Sequence, residues 1–236
     1  MEDRARFSRY ALFLDIDGTM VDFAETPDAV DLPPDLVPLL DRLHHHLDGA
    51  VAVTTGRPID DIDTLTYPLR LTCGTQHGAE IRLPDGTRER RFARHVPAGW
   101  TSQASQICKN IPGSRVERKP YGLALHYRAT PASSLKLQAV ARNLAACSAG
   151  MFEVWQGNMV SELRPTGVTK AMVVHRLMAL PPFAGRVPLF IGDEQNDVEA
   201  FAAVEALGGV GLMVPADFPQ GPAAVRDWLA TQLPGT

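Results

Sequence analysis

Cysteine and long apolar runs are both scarce in this chain. Its three cysteines, Cys73, Cys108 and Cys147, are widely separated and form neither a metal-ligand spacing nor a disulfide framework. We expect all three to serve as small apolar residues. The first residues contain no apolar signal core, and no apolar run approaches the length of a membrane span. These absences favour a cytoplasmic protein without a membrane segment.

Positive charge is also in short supply. The 236 residues include 23 Lys and Arg against 27 Asp and Glu, which gives a formal net charge of −4. No basic stretch is interleaved with aromatic residues, so the composition argues against nucleic acid and anionic membranes as partners. The length fits one domain with a large insertion, or two modest domains.

The most informative stretch is an apolar run that ends in two aspartates, Ala11-Leu12-Phe13-Leu14-Asp15-Ile16-Asp17-Gly18-Thr19. In an α/β protein such a run is typical of a buried parallel strand, and ligand crevices lie at the carboxyl ends of these strands. Two carboxylates at that position need a cation to offset their charge. Gly18 permits a close approach of backbone N–H groups to an anion. The alternative is a surface turn.

Further polar residues follow in order at predicted strand ends or helix starts. Thr55 ends the second strand, and Lys170 begins a helix, where an ammonium group and the helix N-terminus both attract anions. Asp193 and Asp197 follow a strongly apolar strand in the segment Gly-Asp-Glu-Gln-Asn-Asp, and carboxylate ligands suit Mg²⁺. The alternatives are a structural threonine, a solvent-exposed lysine and a helix N-cap at Asp197.

This order of an aspartate pair, a threonine, a lysine and an aspartate cluster resembles that of the haloacid dehalogenase-like phosphatases. The resemblance implies that Asp15 attacks phosphorus and forms an aspartyl-phosphate, while Asp17 protonates the leaving oxygen and then activates water. Thr55 and Lys170 complete the predicted catalytic set. The predicted Mg²⁺ ligands are Asp15, Asp17 (through its backbone carbonyl), Asp193 and Asp197.

Four more residues beside these motifs are predicted to bind substrate. They lie in the two turns that follow the first and second strands, and they are Gly18, Thr19, Gly56 and Arg57. For Arg57 a second interpretation stays open, in which it pairs with a carboxylate beside the site and does not touch the substrate.

Between Thr55 and Lys170, the pattern of apolar and polar residues changes near Ile81. An Asp-Gly hairpin signal, short alternating segments and two helical stretches predict an α+β unit with an antiparallel sheet. The predicted fold class is therefore α/β, with a Rossmann-like haloacid dehalogenase core built on a parallel sheet and an inserted α+β cap. We assign residues 1–82 and 164–236 to the core and 83–163 to the cap. The superfamily resemblance implies that a cap inserted here selects the substrate.

A narrower resemblance, to the trehalose-6-phosphate phosphatase family, runs from about Tyr10 to Val214. It implies Mg²⁺-dependent hydrolysis of a small-molecule sugar phosphate, trehalose 6-phosphate, and a functional link to a trehalose-6-phosphate synthase. It also implies that Glu117, Lys119 and Glu162 bind the distal glucose, the alternative being a surface ion pair between Glu117 and Lys119. The segments that carry it are Phe23-Ala24-Glu25-Thr26-Pro27, Thr55-Gly56-Arg57, Gln76-His77-Gly78-Ala79-Glu80, Leu123-Ala124-Leu125-His126-Tyr127-Arg128, Glu162-Leu163-Arg164-Pro165 and Phe201-Ala202-Ala203-Val204.

The chain departs from the family pattern in places. The family usually has Gly-Asp-Asp-x-Thr-Asp-Glu where this chain has Glu194-Gln195-Asn196 after Asp193 and Val198 after Asp197. Other departures are Met20, Tyr121-Gly122 and Ala171. They leave two alternatives open: a phosphatase of another glycosyl phosphate, such as sucrose or glucosylglycerol phosphate, or a catalytically silent sugar-phosphate-binding protein.

Overall fold

The structure, a computed structural model, describes residues 7–24, 30, 32–92, 95–193 and 197–234. The segment Glu25-Thr26-Pro27 of the family resemblance and the departures Glu194-Gln195-Asn196 lie outside these residues. The chain divides into two units, one made of Met1–Glu89 and Thr169–Thr236, the other of Arg90–Val168.

The regular elements of both units follow in chain order. The strands are β1 (Tyr10–Leu14), β2 (Val51–Thr54), β3 (Thr72–Thr75), β4 (Glu80–Arg82), β5 (Arg88–Arg90), β6 (Arg115–Arg118), β7 (Leu123–His126), β8 (Phe152–Gly157), β9 (Val160–Pro165), β10 (Val187–Gly192) and β11 (Val210–Met213). The helices are α1 (Leu36–His46), α2 (Ile59–Leu65), α3 (Ala98–Lys109), α4 (Ser134–Ala146), α5 (Lys170–Met178), α6 (Val198–Ala206) and α7 (Pro222–Gln232).

The larger unit is built on a seven-stranded sheet in the order β11-β10-β1-β2-β3-β4-β5. The first five strands of this order run parallel, with Leu12 opposite Leu189 on one side and Val51 on the other. Residues 11–14 and 51–54 are buried, as expected for strands covered on both faces. These strands confirm the predicted α/β class.

Two details of the predicted larger unit are corrected. The sheet is mixed, because the tight turn Gln76–Gly78 returns β4 antiparallel to β3. The sequence predicts a short third strand over residues 69–73, but β3 begins at Thr72. Leu69 still belongs to a turn, since its N–H donates to the carbonyl of Thr66 at 2.8 Å.

Helices of the larger unit bury one apolar stripe each against this sheet. In α1, for example, Leu36, Leu39, Leu40 and Leu43 recur at helical spacing and are all buried. Among the described residues, no helix combines the length and apolarity that crossing a membrane requires.

The smaller unit is a four-stranded antiparallel sheet in the order β6-β7-β9-β8, with its own apolar core. Alternate side chains such as Leu123, Leu125 and Leu163 share that core with residues of α3 and α4. The antiparallel α+β pattern expected of the insertion is therefore confirmed. The expectation for the cysteines is wrong at one position, because Cys73 and Cys108 are buried but Cys147 is exposed.

Candidate active site

Three adjacent strands of the larger unit end in polar residues. Asp15 follows β1, Thr55 follows β2 and Asp193 follows β10, and these strands are neighbours in the order β10-β1-β2. Because parallel strands present their carboxyl ends at one edge of the sheet, the backbone alone brings these residues to one crevice. The strand residues behind these ends are almost all apolar and offer few polar side chains. The polar side chains at the strand ends therefore form hydrogen bonds and ion pairs with one another.

Lys170 is the central cation of this crevice. It lies at the start of α5, is 2% exposed, and donates from Nζ to Asp15 Oδ1 at 2.8 Å and to Asp197 Oδ1 at 2.6 Å. Asp197 is fully buried at the start of α6, and its second oxygen accepts from the backbone N–H of Asp193 at 3.0 Å. The side chain of Asp197 therefore joins the lysine to the end of β10, and it makes no N-cap hydrogen bond to its own helix.

The buried charges shift one another's protonation. Burial raises the pKa of Asp15 to about 7, with the carboxylates of Asp197 and Asp17 adding to the rise and the ammonium group of Lys170 opposing it. Burial alone would lower the pKa of Lys170, but the charges of Asp15 and Asp197 outweigh it and hold the pKa well above its usual range. The lysine is therefore a fixed cation, while Asp15 needs further positive charge to be fully ionised at neutral pH.

The donor set fits a hard divalent cation. Asp15, Asp193 and Asp197 each offer a carboxylate oxygen, and these three atoms lie within 4.8 Å of one another. Three carboxylates face one ammonium group, so the cluster carries an excess of negative charge that Mg²⁺ would offset. Gly18, at φ +85°, lies directly against this cluster, because a Cβ at position 18 would overlap the carboxylate of Asp193.

Asp17 and Arg57 form a two-point ion pair beside the cluster. Arg57 donates from Nε to Asp17 Oδ2 at 2.7 Å and from its terminal nitrogen to Asp17 Oδ1 at 2.6 Å. The second interpretation of Arg57, pairing with a carboxylate, describes this contact. Thr55 is 1% exposed, and its hydroxyl oxygen accepts from the backbone N–H of Arg57 at 3.1 Å, which directs the hydroxyl proton to another acceptor.

A loop that the sequence reasoning left without a role supports these turns. Gln76 and His77 adopt left-handed φ values of 48° and 62°. The N–H of Gln76 donates to the Arg57 carbonyl at 3.1 Å, and that of His77 donates to the Thr55 carbonyl at 2.9 Å. The His77 ring also fills the space where a Cβ at Gly56 would lie, 2.8 Å from two of its atoms. Gly56 is thus required for packing, and the segment that follows β3 holds the turn that follows β2.

Thr19 lies next to the predicted nucleophile. Its hydroxyl donates to Asp15 Oδ2 at 3.3 Å, while Lys170 binds the other oxygen of that carboxylate. Asp15 therefore has both oxygens oriented by separate donors.

The three remaining predicted residues belong to the smaller unit. Lys119 Nζ donates to Glu162 Oε1 at 2.6 Å, and both side chains are less than a tenth exposed. Glu117 Oε2 lies 2.7 Å from Nε2 of His126, a partner that sequence reasoning left unassigned. Glu117 and Glu162 both pair with Ala124 of β7, from opposite sides, so the two carboxylates lie in one row across the sheet.

Burial alone would raise the pKa of Glu117. The hydrogen bond to His126 and the charge of Lys119 outweigh burial and hold the pKa of this carboxyl below its ordinary value. Glu117 is thus kept as a partly buried, fully ionised hydrogen-bond acceptor at neutral pH.

Comparison with solved structures places this architecture among known folds. The C-terminal domain of trehalose-6-phosphate phosphatase from Candida albicans superposes with a TM-score of 0.77 at 20% identity, covering 98% of this chain and 94% of that one. A phosphatase of the haloalkanoate (HAD) enzyme superfamily from Bacteroides thetaiotaomicron gives a TM-score of 0.54 at 15% identity, covering 94% of each chain. The sheet order and these structural matches therefore show a haloacid dehalogenase-type fold.

Sequence comparisons identify a family within this fold class. A family model described as trehalose-phosphatase matches residues 13–224. A probable trehalose-phosphate phosphatase of Sinorhizobium fredii is 36% identical over 214 residues, covering 91% of this chain and 81% of that protein. Trehalose-6-phosphate phosphatase of Escherichia coli is 32% identical over 208 residues, covering 88% and 78%. The chain belongs to the trehalose-phosphatase family.

Proposed function

We propose that this protein is a Mg²⁺-dependent phosphatase that hydrolyses trehalose 6-phosphate to trehalose and phosphate through an aspartyl-phosphate. The observation that carries the proposal is the buried Asp15–Lys170–Asp197 cluster with Asp193 beside it. An ion cluster of this kind costs stability when it is left without a ligand, whereas it suits a dianionic phosphoryl group and a divalent cation. Family membership over both units supports the choice of substrate.

The first chemical step assigned to the cluster belongs to Asp15. One of its oxygens attacks phosphorus, and the bond from phosphorus to the sugar oxygen breaks as the new bond forms. Lys170 and Thr19 orient the carboxylate for this attack through their hydrogen bonds to its two oxygens. The ammonium group of Lys170 also offsets charge on the transferring phosphoryl group.

Proton transfer is assigned to Asp17. It gives a proton to the leaving sugar oxygen, and then takes one from the water that attacks phosphorus and frees Asp15. Both Asp17 oxygens accept hydrogen bonds from Arg57, which fixes the carboxylate while each oxygen keeps a further lone pair for the proton. Arg57 is thus proposed to control the position of the acid–base group, with its guanidinium acting through Asp17.

Asp15, Asp193, Asp197 and the backbone carbonyl of Asp17 are the groups proposed to hold Mg²⁺. The bound cation would offset charge on the phosphoryl oxygens. Thr55 is proposed to donate its hydroxyl proton to the same group, since its oxygen already accepts from Arg57. Gly18 and Gly56 would allow the backbone to approach the anion closely.

Selection of the sugar is assigned to the smaller unit. Glu117, Lys119 and Glu162 present charged acceptors and a donor, which suit a neutral disaccharide covered with hydroxyl groups. Binding energy from that remote sugar is best used to position the phosphoryl group for attack. The substrate itself would be supplied by a trehalose-6-phosphate synthase.

The test is phosphate release from trehalose 6-phosphate, sucrose 6-phosphate, glucosylglycerol phosphate and glucose 6-phosphate with Mg²⁺. We expect clear preference for trehalose 6-phosphate, with the activity lost in Asp15→Asn. Preference for another glycosyl phosphate would overturn the proposed substrate while keeping the chemistry. Sugar-phosphate binding without phosphate release would instead identify a silent binding protein.

A further inference from the structure

The row of the smaller sheet that holds the two carboxylates continues to an aromatic residue. Trp155 of β8 pairs directly with Glu162 of β9, which pairs with Ala124 of β7, which pairs with Glu117 of β6. Side chains in one row project from the same face, because neighbours across a sheet point in the same direction. An indole, a carboxylate, a small methyl and a second carboxylate therefore lie side by side on the face opposite the helices.

The indole lies along its own strand. Its six-membered ring lies over Gly157, two residues further along β8 on the same face, where a Cβ at position 157 would overlap two ring carbons. Val160 of β9 borders the same space, 2.8 Å from that Cβ position. The backbone angles of Gly157 are ones that other residues can adopt. Glycine matters at this position because a side chain there would occupy the space of the indole ring.

The polar groups of this face hold one another in place. Lys119 pairs with Glu162, and His126 pairs with Glu117, which fixes both carboxylates on either side of Ala124. A flat aromatic surface beside fixed charged groups matches a pyranose ring, which has apolar C–H faces and a rim of hydroxyl groups. A purely apolar or purely charged ligand would leave one half of this row unused.

We propose that Trp155 is the stacking surface for the distal sugar ring of the substrate, with Glu162 and Glu117 accepting hydrogen bonds from that ring's hydroxyl groups. This proposal rests on the proposed function, since it adds a specificity-determining contact to the same reaction. It predicts that Trp155 contributes to binding of a disaccharide phosphate and contributes little when the distal ring is missing.

The first experiment compares Trp155→Ala and Trp155→Phe on trehalose 6-phosphate and glucose 6-phosphate. We expect Trp155→Ala to raise KM for trehalose 6-phosphate roughly tenfold, with kcat/KM for glucose 6-phosphate changed less than about twofold. Trp155→Phe keeps an aromatic surface and should stay within about threefold of wild type. Equal losses on both substrates, or no change on either, would overturn the proposal.

Two further variants separate stacking from folding. Gly157→Ala keeps Trp155 but displaces its ring, and should reproduce the selective rise in KM. Val154 lies on the same strand and packs against the apolar core of the smaller unit. Val154→Ala should therefore lower the melting temperature and leave unchanged the ratio of kcat/KM for trehalose 6-phosphate to that for glucose 6-phosphate. A selectivity change in Val154→Ala equal to that in Trp155→Ala would mean that β8 is merely destabilised.

A binding measurement keeps this proposal distinguishable from the proposed function. Trehalose alone should change the tryptophan emission of wild type and of Trp228→Phe, but not that of Trp155→Phe, although Trp100 remains in all three proteins. If the proposed function is wrong, the wild-type protein will prefer another substrate in the phosphate-release assay. Failure of the Trp155 proposal would appear as an emission change that survives in Trp155→Phe.

Discussion

At the scale of single residues, Lys170 is predicted to matter for both stability and catalysis. It is a buried cation between two buried carboxylates, so replacing it leaves charge without compensation. We expect Lys170→Met to lower the free energy of unfolding in metal-free buffer by about 3 kcal/mol. We also expect kcat to fall roughly a hundredfold or more.

The control for this substitution is Lys136→Met, which removes an exposed lysine from α4. Urea unfolding and phosphate release measure the two effects. Wild-type stability together with strongly reduced kcat in Lys170→Met would mean that the lysine serves chemistry alone. Unchanged kcat would contradict its assigned role.

The positions of some residues in this crevice could be predicted from the sequence, whereas their side-chain partners could not. Asp15 and Asp193 could be located because each ends an apolar run, and strand ends meet at one edge of a parallel sheet. The contact of Lys170 with Asp15 spans 155 positions, and that of Arg57 with Asp17 spans 40. No local pattern encodes which oxygen a distant cation will bind, so these partners had to come from the structure.

At the scale of elements, Gly78 determines how closely the Gln76–Gly78 turn approaches α5. It has φ +107°, and a Cβ there would lie 2.7 Å from the carbonyl oxygen of Thr169, the residue before Lys170. We expect Gly78→Ala to displace the start of α5. Activity should then fall about tenfold, because small misplacements of a catalytic group are costly.

Gly86 provides a matched control for this change. It has φ +84° in the β4–β5 connection, and nothing lies within 4 Å of its Cβ position. Both alanine variants should lose about 1–2 kcal/mol from the left-handed backbone, measured by urea unfolding. Only Gly78→Ala should also lose kcat, and equal kcat in the two variants would contradict the role of this turn.

The antiparallel sheet of the smaller unit makes a pH-dependent contribution to stability through Glu117. The pKa of this carboxyl is below its ordinary value of 4.5, so ionised Glu117 stabilises the fold. The contribution is full above pH 4.5 and is lost as pH falls through the lower pKa of the folded state. We expect wild type to exceed Glu117→Gln in stability at pH 6, with a gap that narrows below pH 4.5 in urea unfolding. A constant gap would contradict this assignment.

In the smaller sheet, the residue pattern of a single strand does not reveal the order and register of the strands. Alternation in β8 predicts a strand, yet it does not say which strand lies beside it. The row that joins Trp155 to Glu162 and Glu117 depends on three pairings at once. A one-residue slip would send each side chain to the other face, so this group could not be assembled from spacing alone.

At the scale of the whole molecule, cation binding should be coupled to folding. Mg²⁺ that binds the folded carboxylate cluster and not the unfolded chain adds about 2.7 kcal/mol of stability at about 100 times its Kd. Asp193→Asn should lose this gain. Its metal-free form should be at least as stable as wild type, because one of the crowded negative charges is gone.

Thermal unfolding with and without Mg²⁺ measures this coupling. Asp217→Asn removes an exposed carboxylate after β11 and serves as the charge-matched control, expected to keep the full Mg²⁺ gain. An identical Mg²⁺ response in wild type and Asp193→Asn would place the cation elsewhere.

The proposed mechanism predicts that Asp15 is phosphorylated during hydrolysis of trehalose 6-phosphate. The most direct test is to quench the enzyme in acid during turnover, reduce it with borohydride and map the product by mass spectrometry. An acyl phosphate at Asp15 would be reduced to homoserine at that position, dependent on substrate and Mg²⁺ and absent from Asp15→Asn. Steady turnover with an unmodified Asp15, or with modification at another carboxylate, would contradict the account.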